Sequence, residues 1–532
     1  MQSENQLLGT TQVDRLVTIV EEATRATTDA PRRFIEPARG TLDRAKSRRH
    51  HLIFGRRGSG KTSLLRKAGA DLSLQRIPVA FIDLEAFKGH KYPDVLISVL
   101  IETLHAFDRW LDTAAVAPSN KISFWKKLFG GSPVKPPLSR KKVAKIRESL
   151  TKQIRELSAL LHTEDDAQIT SKQHAGSNVA AEISSGGSLG LKSPVDISVQ
   201  RSTKGSLSAE TGNEITEATR RNKIDFLHRR IIDFQKLFEQ IIEVSESDAY
   251  VFLDDLYHII RKDQAYVLDY FHRIVKGRSV WLKVGTIRHR TDWYHHGNPP
   301  IGLKLGDDCD DIDLDITLEK YELARKFLLE ILNQLIHEAG LSEHTDLLAE
   351  GGVERLVLAS GGVARDFLTI FRRAIDVARE RGVTYRGEKI NAEDLNVAAG
   401  EHDPAKRDEL KRDTIGEREQ LERALQVIQQ FCIDNKVNCF LMERDVESTG
   451  HALVSELVDL RFVHVVESRT SVRDLPGKLF TGYMLDISQY TGSRRRRELV
   501  MVAFWKREEI GRIRRPKYVL DPERLALQGG TT

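Results

Sequence analysis

The residues with the clearest chemical meaning lie between His50 and Leu65. Leu52-Ile53-Phe54 predicts a short buried strand, and a helical run begins near Ser63. Between them the sequence reads G-x-x-x-x-G-K-[ST], whose glycines let successive backbone N–H groups point at one anion. The start of the helix adds partial positive charge at the same point, so the pattern predicts a site for a nucleoside triphosphate. The predicted phosphate-binding residues are Gly55, Arg56, Arg57, Gly58, Ser59, Gly60, Lys61, Thr62 and Ser63.

Two carboxylates supply the second half of the predicted site. Asp254 and Asp255 follow the apolar run Ala249–Leu253, at the expected end of a buried strand. A triphosphate site needs a metal, so we expect Thr62 and Asp254 to bind Mg²⁺ while Lys61 reaches the β- and γ-phosphates. Asp255 is predicted to orient or activate the attacking water. An acidic turn without chemistry is the alternative, which the nearby phosphate loop disfavours.

Further polar residues fall where they could touch the γ-phosphate. Thr286 ends the next apolar strand, and its side chain is predicted to lie between that phosphate and the second aspartate. Arg288 and Arg290 follow, and either could reach a neighbouring subunit's γ-phosphate, although solvated charges are the alternative. Arg365 lies in the first turn of a predicted helix after two glycines, where a cation opposes the helix dipole. A bound triphosphate would favour it there, so Arg365 is predicted to be a phosphate sensor.

Composition places the chain among globular proteins of several domains. It has 532 residues, 40% hydrophobic and 30% charged, with a net charge of +5. Apolar runs such as 95–104 are too short to span a bilayer, and the N-terminus lacks the regions of a signal peptide. Cys309, Cys432 and Cys439 show neither ligand spacing nor a disulfide framework. We therefore expect a cytoplasmic protein without a membrane span.

Two other clusters invite a metal interpretation that their spacing does not favour. His289, His295 and His296 lack an acid or cysteine at the usual ligand distance. The acidic run Asp307–Asp315 lacks the spacing and the glutamate of a Ca²⁺ loop, and its end alternates like an edge strand.

The segments before and after the phosphate loop must position it. Residues 12–27 carry apolar side chains at helical spacing, which predicts one amphipathic helix. Residues 31–49 either fold over a nucleobase or form a surface connector. Within 118–222, the Trp–Lys–Lys–Leu–Phe patch at 125–129 weakly favours a membrane surface, and 141–162 resembles a coiled-coil helix. Residues 166–212 predict either a β-hairpin or a disordered linker.

The C-terminal part combines a small domain with basic charge. Residues 419–487 alternate helices with a terminal pair of strands, which predicts a winged helix. Residues 488–518 contain ten basic and three acidic residues, including Arg494–Arg497. This clustering favours binding to a phosphate backbone, so DNA is the predicted partner; docking on a protein is the alternative.

Together these segments resemble the AAA+ ATPases, and among them the origin-recognition and initiator type. The matching pieces are GRRGSGKT at 55–62, VFLDD at 251–255, the strand ending at Thr286, SGGVARDF at 360–367 and the winged-helix pattern. The resemblance implies an α/β fold, a five-stranded αβα sandwich with a helical lid, and ATP bound between subunits of a homo-oligomer. The implied domains are an N-terminal helix at 1–30, a core at 31–117 and 223–317, an insertion at 118–222, a lid at 318–412 and a winged helix with a basic extension at 413–532.

Two departures from the AAA+ pattern favour a slow, switch-like ATPase over a motor. Asp255 stands where most AAA+ members have glutamate, which resembles the STAND signalling ATPases, and Thr286 replaces the usual asparagine. The sequence thus predicts an ATP-switched oligomer that engages DNA, by analogy in a mobile-element or antiphage system. The alternative is a STAND-like scaffold whose winged helix and insertion bind a protein effector.

Overall fold

The computed structural model describes residues 7–25, 30–115, 138–185, 197–382, 388–413, 418–444, 448–491 and 499–526. Within 163–185 and 197–219 only the helical backbone is described. The aromatic and basic patch at 125–129 and the four arginines Arg494–Arg497 lie outside the described residues.

The centre of the chain is a five-stranded parallel sheet. Its strands are β1 (His51–Phe54), β2 (Val79–Asp83), β3 (Ala249–Asp254), β4 (Val280–Thr286) and β7 (Asp310–Asp313), in the order β2-β3-β4-β1-β7. The two remaining core strands, β5 (Tyr294–His295) and β6 (Ile301–Gly302), form a separate short hairpin.

Helices cover both faces of this sheet, which is why its central strands read as continuous apolar runs. Because side chains alternate along a strand, Leu52 and Phe54 of β1 pack into one apolar cluster and Ile53 into another on the opposite face. The αβα sandwich predicted from the sequence is confirmed. It places the carboxyl ends of β1 and β3 at one edge, where α/β sheets bind ligands.

Seventeen α-helices are present in the described part of the chain. They are α1 (Thr11–Ala23), α2 (Ala30–Arg33), α3 (Thr41–Lys46), α4 (Lys61–Leu74), α5 (Asp94–Ala115), α6 (Arg140–Ser185), α7 (Ile197–Ser245), α8 (Arg261–Val275), α9 (Tyr321–Ala339), α10 (His344–Leu347), α11 (Gly352–Ser360), α12 (Ala364–Arg381), α13 (Ala392–Asp413), α14 (Arg418–Asp434), α15 (Thr449–Asp459), α16 (Arg507–Ile510) and α17 (Glu523–Ala526). None of these helices is long and apolar enough to cross a bilayer.

The acidic run at 307–315 behaves as an edge strand, as its alternation predicts. Residues 310–313 form β7, which pairs in parallel with β1. The carboxylate of Asp315 then accepts a hydrogen bond from the backbone N–H of Arg56, over 2.9 Å. The end of this strand therefore supports the phosphate loop, and the described residues contain no cluster of metal-ligating side chains.

The described part of the predicted insertion contains two long helices, α6 and the first part of α7. Their bases are fixed to the core by ion pairs: Arg147 of α6 with Asp108 of α5 at 2.7 Å, and Lys223 of α7 with Asp94 at 2.9 Å. Residues 197–212, where a hairpin strand was one prediction, are helical because they continue the helix whose base packs on the core. Residues 166–185, also part of that prediction, belong to the helix α6, and residues 186–196 lie outside the described part.

The region predicted to be a lid contains helices α9 to α13, and the N-terminal helix packs against it. The apolar face of α1, with Val13, Leu16 and Val20 buried, joins the same cluster as Leu328 and Phe371. In addition, Arg379 of α12 donates a hydrogen bond to the carbonyl of Leu8 over 2.8 Å. The amphipathic face predicted for α1 is thus occupied by the lid.

The C-terminal unit contains α14, β8 (Cys439–Glu443), α15, β9 (Val463–Val472) and β10 (Leu475–Leu485). The three strands form an antiparallel sheet in the order β8-β10-β9. The described residues between β8 and β9 form one helix, α15. The winged-helix assignment therefore stays a prediction, although the final hairpin has the expected position.

Candidate nucleotide-binding site

The glycine-rich loop connects β1 to α4, as its sequence predicts. Gly58 has φ +86° and Gly60 has φ +101°, which only glycine adopts without strain. The ammonium of Lys61 is buried and donates hydrogen bonds to the carbonyls of Gly55 and Arg56, over 2.8 and 3.3 Å. Burial lowers the pKa of Lys61, and the charges of three aspartates, Asp255, Asp254 and Asp315, oppose that effect.

Asp254 meets the loop from the end of β3. Its side chain is 2% exposed and accepts hydrogen bonds from the hydroxyl of Thr62 and from the backbone N–H of Asp255, the latter over 3.1 Å. Burial, and then the charge of Asp255, raise the pKa of Asp254 to about 7, while Thr62 and Lys61 act in the opposite direction. A hydroxyl and a carboxylate in contact are hard oxygen ligands, so Thr62 and Asp254 fit Mg²⁺.

Asp255 begins the loop after β3 in a left-handed conformation, with φ +56°. Few residues other than glycine, asparagine and aspartate adopt this conformation readily. It leaves Asp255 lining the same cavity as Lys61 and Thr62. Both acids of the predicted pair therefore reach the phosphate loop.

Arg365 approaches the loop from the lid, in the first turn of α12. The two backbones are so close that a Cβ atom on Gly58 would lie 2.7 Å from the Cβ of Arg365. Burial and the charge of Arg461 lower the pKa of Arg365, although Asp366 and Glu409 act in the opposite direction. No hydrogen bond or ion pair joins its guanidinium to another residue in the described ranges. A cation that faces the cavity beside a phosphate loop and has no such partner is suited to an anionic ligand.

These groups converge on one cavity of about 360 Å³. Its polar end is formed by residues 57–63, Asp255 and Arg365. Its apolar wall is formed by two parts of the chain, the linker before β1 and the lid: Phe34, Ile35, Pro37, Phe327, Ile331, Leu335 and Leu368. Of the two interpretations of residues 31–49, the structure favours the one in which the linker covers a ligand.

Two of the nine predicted phosphate-binding residues, Gly55 and Arg56, do not line this cavity. The side chain of Arg56 instead forms an ion pair with Asp315 at 3.3 Å and donates to the carbonyl of Gly361 over 3.2 Å. Arg56 therefore fastens the phosphate loop to the turn that precedes α12.

Three predicted residues of the γ-phosphate region lie outside the cavity lining. The buried hydroxyl of Thr286 is hydrogen-bonded to that of Thr291 at 2.5 Å, which holds it away from the cavity. Arg288 forms an ion pair with Asp311 at 2.8 Å, and Arg290 forms one with Glu456 of α15 at 3.2 Å. Each of the three has an intramolecular partner in the described conformation, and their roles at a γ-phosphate stay predictions.

Sequence reasoning missed several residues that the structure brings to the site. Tyr257 lines the cavity, and its ring lies 5.7 Å from the ammonium of Lys61. Glu85, just after β2, and Glu409, in α13, line it as well. Arg461 of the C-terminal unit donates to the carbonyl of Arg57 over 2.8 Å. In the sequence, the only sign of a special role for Arg461 was its charge, which lies between the apolar residues Leu460 and Phe462.

Comparison with known proteins gave structural likenesses only. No family model and no curated protein matches the chain. The Orc1 protein of Aeropyrum pernix in complex with DNA is 13% identical over 90% of this chain and 89% of its own, with a TM-score of 0.32. A Walker-type ATPase of Pyrococcus abyssi is 12% identical over 84% of this chain and 92% of its own, with a TM-score of 0.39. The strand order and the phosphate loop themselves identify the α/β fold.

Proposed function

We propose that this protein is an ATP-binding, slowly hydrolysing AAA+ switch that associates with copies of itself and binds DNA through its C-terminal region. One observation carries the proposal. Arg365 of the lid, Asp255 and the phosphate loop with Thr62 line a single cavity with an apolar wall, and the buried carboxylate of Asp254 is hydrogen-bonded to Thr62.

Each part of the cavity matches a part of a nucleotide. The backbone N–H groups of the loop and Lys61 would bind the phosphates, and Arg365 would bind the γ-phosphate from the lid. Mg²⁺ held by Thr62 and Asp254 would neutralise charge that develops on the phosphate oxygens. Phe34, Ile35 and Phe327 offer an apolar surface to the base. This arrangement supports ATP as the ligand.

Three features support slow turnover. The water-orienting position holds Asp255, whose side chain is shorter than the glutamate found in most AAA+ proteins. The hydroxyl of Thr286 already bonds Thr291, and Arg290 already pairs with Glu456. A protein that hydrolyses slowly keeps its triphosphate-bound state long enough to act as a switch.

The C-terminal charge supports DNA as the partner. Ten basic and three acidic residues lie between 488 and 518. In the described part, the hairpin of β9 and β10 adds Arg469, Arg473 and Lys478, all exposed. Lysine and arginine clusters bind phosphate backbones and release counterions, which makes affinity depend on salt. The cytoplasmic location and the antiphage setting stay predictions.

The nucleotide proposal is tested by Lys61→Ala. We expect the variant to lose binding of a fluorescent ATP analogue, because the ammonium that contacts the phosphates is removed. Lys67→Ala is the matched control: it lies in the same helix, pairs with Asp71 at 2.9 Å, and should bind normally. Retained affinity in Lys61→Ala would refute the proposal.

The DNA proposal is tested by changing Arg494–Arg497 to glutamine. We expect weaker binding to duplex DNA and a flatter plot of log affinity against log salt, since fewer counterions are released. The control changes four exposed basic residues at the start of α6: Arg140, Lys141, Lys142 and Lys145. An unchanged salt slope in the first variant would indicate that the C-terminal region docks on protein.

A further inference from the structure

Arg461 of the C-terminal unit contacts the phosphate loop but has no role in the ATP binding and hydrolysis proposed above. It lies between α15 and β9, its side chain is 2% exposed, and its backbone has φ +65°. Both burial of a charge and a left-handed backbone at a non-glycine residue are unfavourable, and they persist only where surrounding contacts compensate.

The compensating contacts come from three separate parts of the chain. One guanidinium nitrogen, Nη1, donates to the carbonyl of Arg57 in the phosphate loop over 2.8 Å. Nε lies 3.3 Å from a carboxylate oxygen of Asp366, and Nη2 bonds the carboxylate of Glu409. Burial lowers the pKa of Arg461, but the two carboxylates outweigh that effect, so the pKa is raised and the guanidinium stays charged.

Asp366 also links Arg461 to a wider network of buried ion pairs. Asp366 lies 3.3 Å from Nε2 of His402 and 3.8 Å from Nζ of Lys406. Lys406 in turn pairs with Asp486 at 3.0 Å, and Asp486 with His464 at 2.7 Å. Burial alone would raise the pKa of Asp366, yet Arg461, His402 and Lys406 lower it well below its ordinary value. The network therefore joins the C-terminal unit to the helix that carries Arg365.

The contact with Arg57 fixes one particular peptide plane. The C=O and N–H groups of a trans peptide point in opposite directions, so holding the carbonyl of Arg57 also fixes the direction of the Gly58 N–H. Gly58 lines the cavity and has φ +86°, and a glycine permits alternative orientations of the preceding peptide. By holding the carbonyl of Arg57, Arg461 can thus determine the direction of the Gly58 N–H.

We propose that Arg461 is a positioning residue for the phosphate-binding loop: it holds the Arg57–Gly58 peptide in the orientation that binds phosphate, and so links nucleotide affinity to docking of the C-terminal unit. This inference rests on the proposed nucleotide binding. By thermodynamic reciprocity, whatever displaces the C-terminal unit weakens ATP binding, and bound ATP favours the docked unit.

The test compares ATP with adenosine in Arg461→Met. Loss of a charged hydrogen bond that orients the loop should weaken ATP binding about tenfold. Adenosine, which uses only the apolar wall, should bind as in the unchanged protein. Arg109→Met is the matched control, because Arg109 is 63% exposed and its guanidinium, among the described residues, pairs only with Glu102 of the same helix, α5. Both affinities are measured by calorimetry, with thermal unfolding recorded for each protein.

Arg461→Lys covers the case in which the methionine variant does not fold. The lysine keeps a positive charge beside Asp366 and Glu409. Its single ammonium cannot contact all three acceptors that the planar guanidinium of Arg461 reaches. We expect Arg461→Lys to weaken the binding of ATP but not of adenosine, by a smaller factor than Arg461→Met does.

Two outcomes would overturn the inference: unchanged ATP affinity in a folded Arg461 variant, or equal weakening of ATP and adenosine, which indicates a merely structural role. Failure of the unchanged protein to bind ATP would instead refute the nucleotide proposal itself.

Discussion

At the scale of single residues, Asp254 makes the candidate site sensitive to pH. Its pKa of about 7 places the titration of a buried carboxylate within the physiological range. The folded pKa lies above the ordinary value of 3.8, so the folded state binds this proton more tightly than the unfolded chain does. In metal-free protein, the stability contributed by the protonated form is therefore lost as pH rises from about 4 through 7.

We predict that Mg²⁺-dependent ATP affinity rises roughly tenfold between pH 6 and pH 8, because Mg²⁺ competes with the proton on Asp254. Titration of a fluorescent ATP analogue across this range measures the effect. Binding in the presence of a chelator provides the control and should lack this rise. A flat profile with Mg²⁺ would show that Asp254 does not ligate the metal.

We predict that Asp255→Asn keeps ATP binding but lowers turnover on the order of 100-fold, since the amide cannot take a proton from water. Phosphate release measures turnover. Asp83→Asn, at the end of the neighbouring strand, is the control, because Asp83 does not line the cavity within the described part of the chain. Undiminished hydrolysis in Asp255→Asn would assign the water to another carboxylate, such as Glu85, which also lines the cavity.

At the scale of elements, the turn between α11 and α12 joins the lid to the C-terminal unit. Gly361 caps α11 with φ +58°, and a Cβ atom there would lie 1.9 Å from the ring of His464. Gly340 caps α9 with φ +87° and has open space around it. The two glycines thus share a backbone conformation and differ in what a side chain would meet.

We predict that Gly361→Ala lowers the free energy of unfolding by about 1–3 kcal/mol more than Gly340→Ala does. Both substitutions place alanine at a position with a left-handed backbone. The difference between the two losses in free energy of unfolding therefore measures the cost of displacing His464. Denaturant unfolding of both variants measures it. Equal losses would mean that the C-terminal unit is not held tightly at this turn.

Sequence reasoning succeeded for elements that are contiguous in the chain. The phosphate loop, the buried strands and the acidic pair Asp254–Asp255 each follow from short patterns, because strand–loop–helix geometry is local. The hydrogen bond of the Thr286 hydroxyl could not be predicted, because it depends on Thr291, which no spacing rule reveals. The ion pair of Arg290 could not be predicted either, because its partner, Glu456, is distant in sequence and near only in the fold. The role of Arg461 was invisible for the same reason, since its contact lies 404 positions away.

At the scale of the whole molecule, the proposed switch requires that ATP change the state of association. We predict that particle mass, measured by light scattering, increases with Mg²⁺ and ATP in the unchanged protein and stays constant in Lys61→Ala. The reason is that ATP bound at a subunit boundary would supply contacts for a neighbouring arginine. A mass unaffected by ATP in the unchanged protein would contradict the oligomeric switch.

The wall of the cavity begins near the start of the chain, at Ala23, and ends in α13, at Glu409. During synthesis, a ribosome must therefore release more than four hundred residues before the pocket can close around anything. The complete lining is available to a nucleotide only after α13 has left the ribosome.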